Sequence, residues 1–261
     1  MKIISIATLK GGVGKTTTAV TLSSILATEY NKKVLLIDAD PQANTTTYMR
    51  KDETEAGYLS IKNIFENDDF PLEDIVQDTF VDNLSIIGST ILLTGSEMKM
   101  VTTPAREFVL KRYFKNNKDY FKQYDYIIID TNPSMNVINQ NVFIVSDSII
   151  LMSDIGMGAY KGIELFEFLW QDIADKLCIE NNIKAVLLSK VKDRTIMARE
   201  YKKMLEKDEF GSKMLLKTTI KDSIKFAEAE QAQTPINFYK NNPGADQYRE
   251  VAKELFERGV L

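Results

Sequence analysis

The chain contains no histidine and a single cysteine, Cys178. One thiol excludes an internal disulfide framework and any four-cysteine metal or cluster site within one chain, and without imidazole a zinc site has too few ligands. No apolar run approaches the roughly 18 residues of a membrane-spanning helix. The first residues already read as a strand, which leaves no room for a signal peptide and points to a reducing cytosol. Charge of either sign is not in excess: the net charge is −4, so contact with nucleic acid must come from a local basic patch and not from the global field. What is present is a 261-residue chain with 44% hydrophobic residues, enough to bury a full core as one α/β domain over 1–261.

Glycine is scarce, with twelve in the whole chain, yet three of them fall within four positions. The segment reads Lys10-Gly11-Gly12-Val13-Gly14-Lys15-Thr16-Thr17, after the apolar run Ile3-Ile4-Ser5-Ile6-Ala7 and before a periodic stretch from Ala19 to Ala27. Strand, glycine loop and helix start are the context of a phosphate-binding loop. Glycines let backbone N–H groups crowd a polyphosphate, and the helix N-terminus turns its positive end toward the same place. Gly11, Gly12, Val13, Gly14, Lys15, Thr16 and Thr17 are therefore the candidate nucleotide-binding residues. Lys15 is the cation for the β- and γ-phosphates, and Thr16 is a hydroxyl ligand for Mg²⁺.

Apolar runs alternate with helical periodicity along the rest of the chain. Strands are predicted at Lys2–Thr8, Lys33–Asp38, Leu84–Gly88, Tyr126–Asp130, Ser148–Met152, Lys184–Ser189 and Met214–Thr218. Helices are predicted at Lys15–Glu29, Thr103–Phe121, Asn136–Ser146, Tyr160–Lys176, Ile196–Asp208 and Gly244–Arg258. Continuous runs such as Ile127-Ile128-Ile129 suit strands covered on both faces. The pattern predicts a doubly wound, mostly parallel sheet of about seven or eight strands with helices on both faces, and a ligand at the carboxyl ends of the strands. Arg50 to Asn83, acidic and weakly patterned, reads as a surface excursion. The basic residues of Thr103–Phe121 read as a solvated face over an aromatic core stripe.

Acids stand where the phosphates should lie. Asp38 and Asp40 occupy alternate positions at the end of the second strand and share one side of it. Asp40, before Pro41, also suits an N-cap of the next helix. Asp130 closes the apolar run at 126–129, the Walker B arrangement that holds Mg²⁺ through its water shell. No Asn-Lys-x-Asp motif for guanine appears, so ATP is preferred to GTP.

The stretch KGGVGKTT, with its early lysine, resembles the deviant P-loop ATPases, the family of ParA-type partition and MinD-type positioning proteins. The resemblance runs nearly the whole length, from Lys2 to the closing Pro243–Tyr248 and Ala252–Leu255 pattern, and implies the P-loop NTPase fold. It implies that Lys10 reaches across a dimer interface to the partner's phosphates. A trans cation of that kind links dimerisation to triphosphate recognition. Asp38-Ala39-Asp40-Pro41-Gln42 matches the family's D-x-D-P-Q, which implies that Asp40 orients or polarises the attacking water while Asp38 supports the metal shell. Lys10, Lys15 and Asp40 are thus the catalytic candidates, and Thr16, Asp38 and Asp130 the metal candidates. Pro235 and Ile236 resemble the family's adenine-side loop. Two departures stand out: Thr8-Leu9 where the family more often has Asn-Gln, and Asn132 in place of a proline, which predicts a looser switch loop.

From Lys190 to Lys225 there are eleven basic residues against six acidic ones, an asymmetry able to bind phosphate backbones without reading sequence. The resemblance makes Arg194, Lys221 and Lys225 the DNA-binding candidates. A ParA-type reading implies an ATP-bound homodimer on non-specific DNA, associated with the nucleoid, with a ParB-type partner that stimulates hydrolysis. The helix-turn-helix extension of larger relatives is not seen ahead of Lys2, so operator-specific repression is not expected. Two alternatives stand beside it. A MinD-type membrane-positioning ATPase would need an amphipathic basic terminal helix, but the charges of Tyr248–Arg258 cancel and its apolar stripe is narrow. A metabolic ligase or phosphotransferase of the same fold would leave Lys10 without a trans role.

Overall fold

The computed structural model describes residues 1–50, 58–67, 69–156, 158–192 and 195–261. Its strands are β1 (Lys2–Ala7), β2 (Val34–Ala39), β3 (Gln77–Asp78), β4 (Leu84–Ile87), β5 (Tyr126–Thr131), β6 (Ser148–Ser153) and β7 (Ile183–Leu188). They form one sheet in the order β3-β4-β2-β5-β1-β6-β7. All neighbours are parallel except the short edge strand β3, which runs antiparallel to β4. The order reverses at β1, which places the following loop at a topological switch point.

The helices are α1 (Lys15–Thr28), α2 (Asn44–Met49), α3 (Ile61–Glu66), α4 (Leu72–Ile75), α5 (Leu93–Met100), α6 (Val109–Asn116) and α7 (Lys118–Phe121). They continue as α8 (Val137–Val145), α9 (Ala159–Leu177), α10 (Ile196–Lys207), α11 (Glu209–Met214), α12 (Ile224–Gln231) and α13 (Pro243–Glu257). Successive strand residues point to opposite faces, so each apolar strand feeds two cores. Ile3, Leu35, Ile37, Ile127 and Ile129 join α6, α8 and α9 on one face. Ile4, Ile6, Leu36, Ile128 and Ile150 join α1 and α13 on the other. Among the described residues no helix is long and apolar enough to cross a membrane.

Three expectations need correction. The segment predicted as a strand at Met214–Thr218 ends α11 and then runs beside β7, bonded to it only at Leu216 N–Val186 O and Ile220 N–Leu188 O. Its intervening amides at Lys217 and Thr218 donate to the Glu254 carboxylate at 2.8 and 2.9 Å, so no ladder forms. The helix predicted over Thr103–Phe121 is broken: Ala105 lies in the left-handed region at φ 51°, and Asn117 separates α6 from α7. The basic face is as expected, with Lys111 and Lys115 exposed over buried Tyr113 and Phe114, the latter stacked on Phe121 at 4.2 Å. The excursion between Arg50 and Asn83 is packed where it is described, because Ile61, Ile64, Phe65, Leu72 and Ile75 are all buried.

Candidate nucleotide site at the carboxyl end of the sheet

The loop between β1 and α1 turns on two glycines in the left-handed region, Gly12 at φ 75° and Gly14 at φ 84°. A side chain at either position would be strained, and their faces are open to the cleft. Val13 between them is buried, and its carbonyl accepts a 2.6 Å hydrogen bond from Ser189 Oγ at the end of β7. The loop is thus pinned to the sheet from beneath at Val13. Gly11, Gly12, Gly14, Lys15, Thr16, Thr17 and Asp40 line a cleft of about 670 Å³ together with Gln42 and Asn44. Lys190, Asp222 and the α12 residues Ile224, Phe226 and Glu230 form its far wall.

Beneath the loop lie the carboxylates. Asp38 and Asp130 are register partners on β2 and β5, and both are fully buried. Thr46 donates to Asp38 Oδ2 from its amide at 2.9 Å and its hydroxyl at 2.7 Å, and the Asp40 amide donates to Asp38 Oδ1 at 3.0 Å. Even so, burial and the neighbouring Asp130 push the Asp38 carboxyl up to about 7. Asp130 Oδ2 accepts the hydroxyls of Thr16 and Thr45, each at 2.7 Å, while its Oδ1 is buried without a partner. Burial also pushes Asp130 up, against the pull of Thr45, Lys15 and Thr16. Lys15 is pushed down by its own burial, with Asp130 and Asp40 opposing.

An orphaned carboxylate oxygen beside a threonine hydroxyl, with a buried lysine and a glycine loop lining the cleft, fits a divalent cation with a polyphosphate. Thr16 and Asp130 are the residues placed to hold the metal. Asp38 is not hydrogen-bonded to Thr16: its Oδ1 accepts from the Asp40 amide and its Oδ2 from Thr46, and Asp130 lies beside it in register. Asp40 forms no helix cap: its Oδ1 accepts from the Gln42 amide at 2.9 Å, and α2 starts later, after left-handed Ala43.

The remaining candidates are scattered. Lys10 faces a neighbouring pocket at the start of α9 and not the cleft itself, its side chain 53% exposed and paired with Asp154 at 2.5 Å. Pro235 and Ile236 do not reach the cleft; Ile236 is fully buried in the core between α1 and α13. Lys225, at the start of α12, pairs with Glu228 at 2.6 Å, and Lys221 is exposed with its amide on Gln247. Arg194 lies outside the described residues. Asn132, where the family has a proline, is tied into its loop: its side-chain oxygen accepts from Asn139 Nδ2 at 2.9 Å and from Ser134 Oγ. Several contributors were not singled out from sequence: Thr45, Thr46, Ser189, Asn139 and Phe226. For the threonines a signal existed, a run of three poor helix formers beginning five residues after Asp40.

A family model described as an AAA domain matches residues 1–185. The sporulation initiation inhibitor protein Soj of Bacillus subtilis is 34% identical over 99% of both chains. The chain belongs to the ParA-type family of partition ATPases. The chromosome partitioning protein ParA of Myxococcus xanthus is 27% identical over 98% of this chain and 88% of its own. A plasmid partition protein from Borrelia burgdorferi, solved with AMPPNP, superposes with a TM-score of 0.82 at 27% identity, covering 98% of this chain and 99% of that one. The ParA-type fold and its deviant loop thus agree with the architecture described above.

Proposed function

We propose that this ParA-type protein binds ATP with Mg²⁺ in the cleft, closes face to face with a second copy, binds DNA without reading sequence, and lets go on hydrolysis. The observation that carries the reading is that Lys15, Thr16 and Asp40 line one cleft under a glycine loop, with Asp130 buried behind Thr16 and bonded to its hydroxyl. The metal, when bound, neutralises the charge that builds on the phosphoryl oxygens. Thr16 and Asp130 hold it. Lys15 and the loop amides draw on the phosphates. Asp40, fixed by the Gln42 amide, faces the cleft as the acceptor for the attacking water's proton. Lys10, exposed beside the cleft, reaches a facing subunit and supplies the neighbour's site. Hydrolysis by the isolated chain is slow and is stimulated by a ParB-type partner that orders the site.

DNA contact falls to the basic stretch from Lys190 to Lys225, with Arg194, Lys221 and Lys225 as phosphate ligands. Because Lys225 belongs to the helix that walls the cleft, nucleotide state and DNA surface share an element. The protein works in the cytoplasm, on the nucleoid. The apolar stripe of α13 (Tyr248, Val251, Ala252, Leu255) is buried in the core, which favours DNA over a membrane as the second ligand. Light scattering with AMPPNP and co-sedimentation with DNA in ATP, ADP or no nucleotide test the proposal together. A dimer and a salt-sensitive DNA pellet are expected with the triphosphate only. A monomer under saturating AMPPNP would overturn the face-to-face dimer, and DNA binding indifferent to nucleotide would overturn the gating. Asp40→Ala should still bind ATP and trap the dimer while losing turnover, and normal hydrolysis by it would remove Asp40 from the chemistry.

A further inference from the structure

Three threonines stand in a row at the start of α2, and each hydroxyl goes somewhere different. Thr47 Oγ1 donates to the Ala43 carbonyl at 3.0 Å and is exposed to solvent. Thr46 Oγ1 donates to Asp38 and accepts from the Ser89 amide at 2.8 Å. Thr45 Oγ1 crosses from α2 to the end of β5 and donates to Asp130 Oδ2 at 2.7 Å. Thr45 and Thr46 are both fully buried. Threonine is a poor residue for a short helix, so two buried hydroxyls here need a tertiary reason.

We propose that Thr45 is a positioning residue which fixes the Asp130 carboxylate so that its free oxygen faces the divalent cation. The proposal rests on the nucleotide site described above and names a group that the motif of loop and strand-end acids does not include. A carboxylate held by one hydrogen bond can roll about its Cβ–Cγ bond. With Thr16 and Thr45 both on Oδ2, from α1 on one side and α2 on the other, the plane is set and Oδ1 is left as the acceptor. A Thr16 hydroxyl that gives its lone pair to the metal is a weaker anchor by itself, because it now answers to two groups. Thr45 has no such second duty. It also joins Asp130 to the segment that begins at Asp40, so the metal's carboxylate and the water's carboxylate move as parts of one unit. Outer hydrogen bonds of this kind commonly change metal affinity by about 10- to 100-fold when removed.

The test separates metal from nucleotide. A fluorescent non-hydrolysable ATP analogue is titrated into wild type, Thr45→Val, Thr45→Ser and Thr47→Ala, once in EDTA and once in Mg²⁺, with folding followed by circular dichroism. Thr45→Val keeps the volume and loses the donor. It should bind the analogue as wild type does in EDTA but lose roughly tenfold or more of the gain that Mg²⁺ provides. Thr45→Ser should restore most of that gain, and Thr47→Ala should leave it unchanged. If Thr45→Val melts before titration, Thr45→Ala removes the same donor without crowding and takes its place. A Mg²⁺ gain within twofold of wild type in the folded variant would overturn the proposal, as would equal losses with and without metal. Wild type failing to bind the analogue at all would instead overturn the nucleotide site itself.

Discussion

At the carboxyl end of the sheet, Asp38 accepts three hydrogen bonds and is still pushed up to about 7. At the far end of α13, Glu254 accepts the Lys217 and Thr218 amides and a guanidinium bond from Arg258. Burial pushes Glu254 up too, but these donors outweigh it and hold the carboxyl below its usual range. The number of donors does not separate the two residues; the depth of burial does first, and the sign of the neighbour second. Asp38 faces Asp130, another buried carboxylate, whereas Glu254 faces Arg258. One end of the molecule is electrostatically complete. The other is complete only when cations arrive, which suits a site that must respond to a ligand.

The largest break in this contrast should come from Lys15→Met. Removing the buried cation deletes charge-assisted contacts to the phosphates, and ATP affinity measured by calorimetry should fall about 100-fold. Unchanged affinity would remove Lys15 from the site. At the settled end, Glu254→Ala frees two amides and Arg258, at a cost of about 2–3 kcal/mol in urea unfolding with nucleotide affinity intact. A loss of nucleotide affinity instead would mean the two ends are coupled.

The pH profile sharpens the same difference. Between about pH 5 and 7 the folded chain keeps a proton on Asp38 that the unfolded chain has released, so rising pH favours unfolding. The nucleotide-free protein should lose about 2 kcal/mol over that window in chemical denaturation, with Asp130 acting in the same direction. Glu254 works the other way: its contribution is present above its usual value of 4.5 and is lost as pH falls through the lower folded value. A stability that is flat from pH 5 to 7 would remove the charge tension assigned to the carboxyl end. The smallest effect is expected at Asn132. Asn132→Ala removes two side-chain bonds that brace the loop after β5, and should cost about 1 kcal/mol with faster amide exchange over 131–136. Unaltered exchange would return that loop to the slack state read from the missing proline.

The cores of β1, β2 and β4–β7 were legible because strands covered on both faces must be apolar throughout, and such runs as Val34–Ile37 have no other use. The loop and its acids were legible for a chemical reason: polyphosphate binding narrows the choice at each position. What escaped depended on partners distant in sequence. The alternating Met214–Thr218 segment looks like a strand until Glu254, far along the chain, takes its amides. Helix α12 has only Ala229 fully buried; it is capped by Ser223 and held to the core by Phe226 packing edge-on against Tyr248 of α13. Asp38 and Asp40 are equivalent in pattern, and only the three-dimensional path of Thr46 decides which of them faces the ligand.

The pairing of Lys10 with Asp154 has one more consequence. A solitary molecule keeps that ammonium occupied at home, against a carboxylate whose second oxygen is buried and alone. For two molecules to meet as proposed, each must first surrender an attachment it already has, so association is an exchange and not a simple addition. With the ammonium half-exposed, the resident bond is a small cost of about 1 kcal/mol or less, and the phosphate's greater charge favours the exchange.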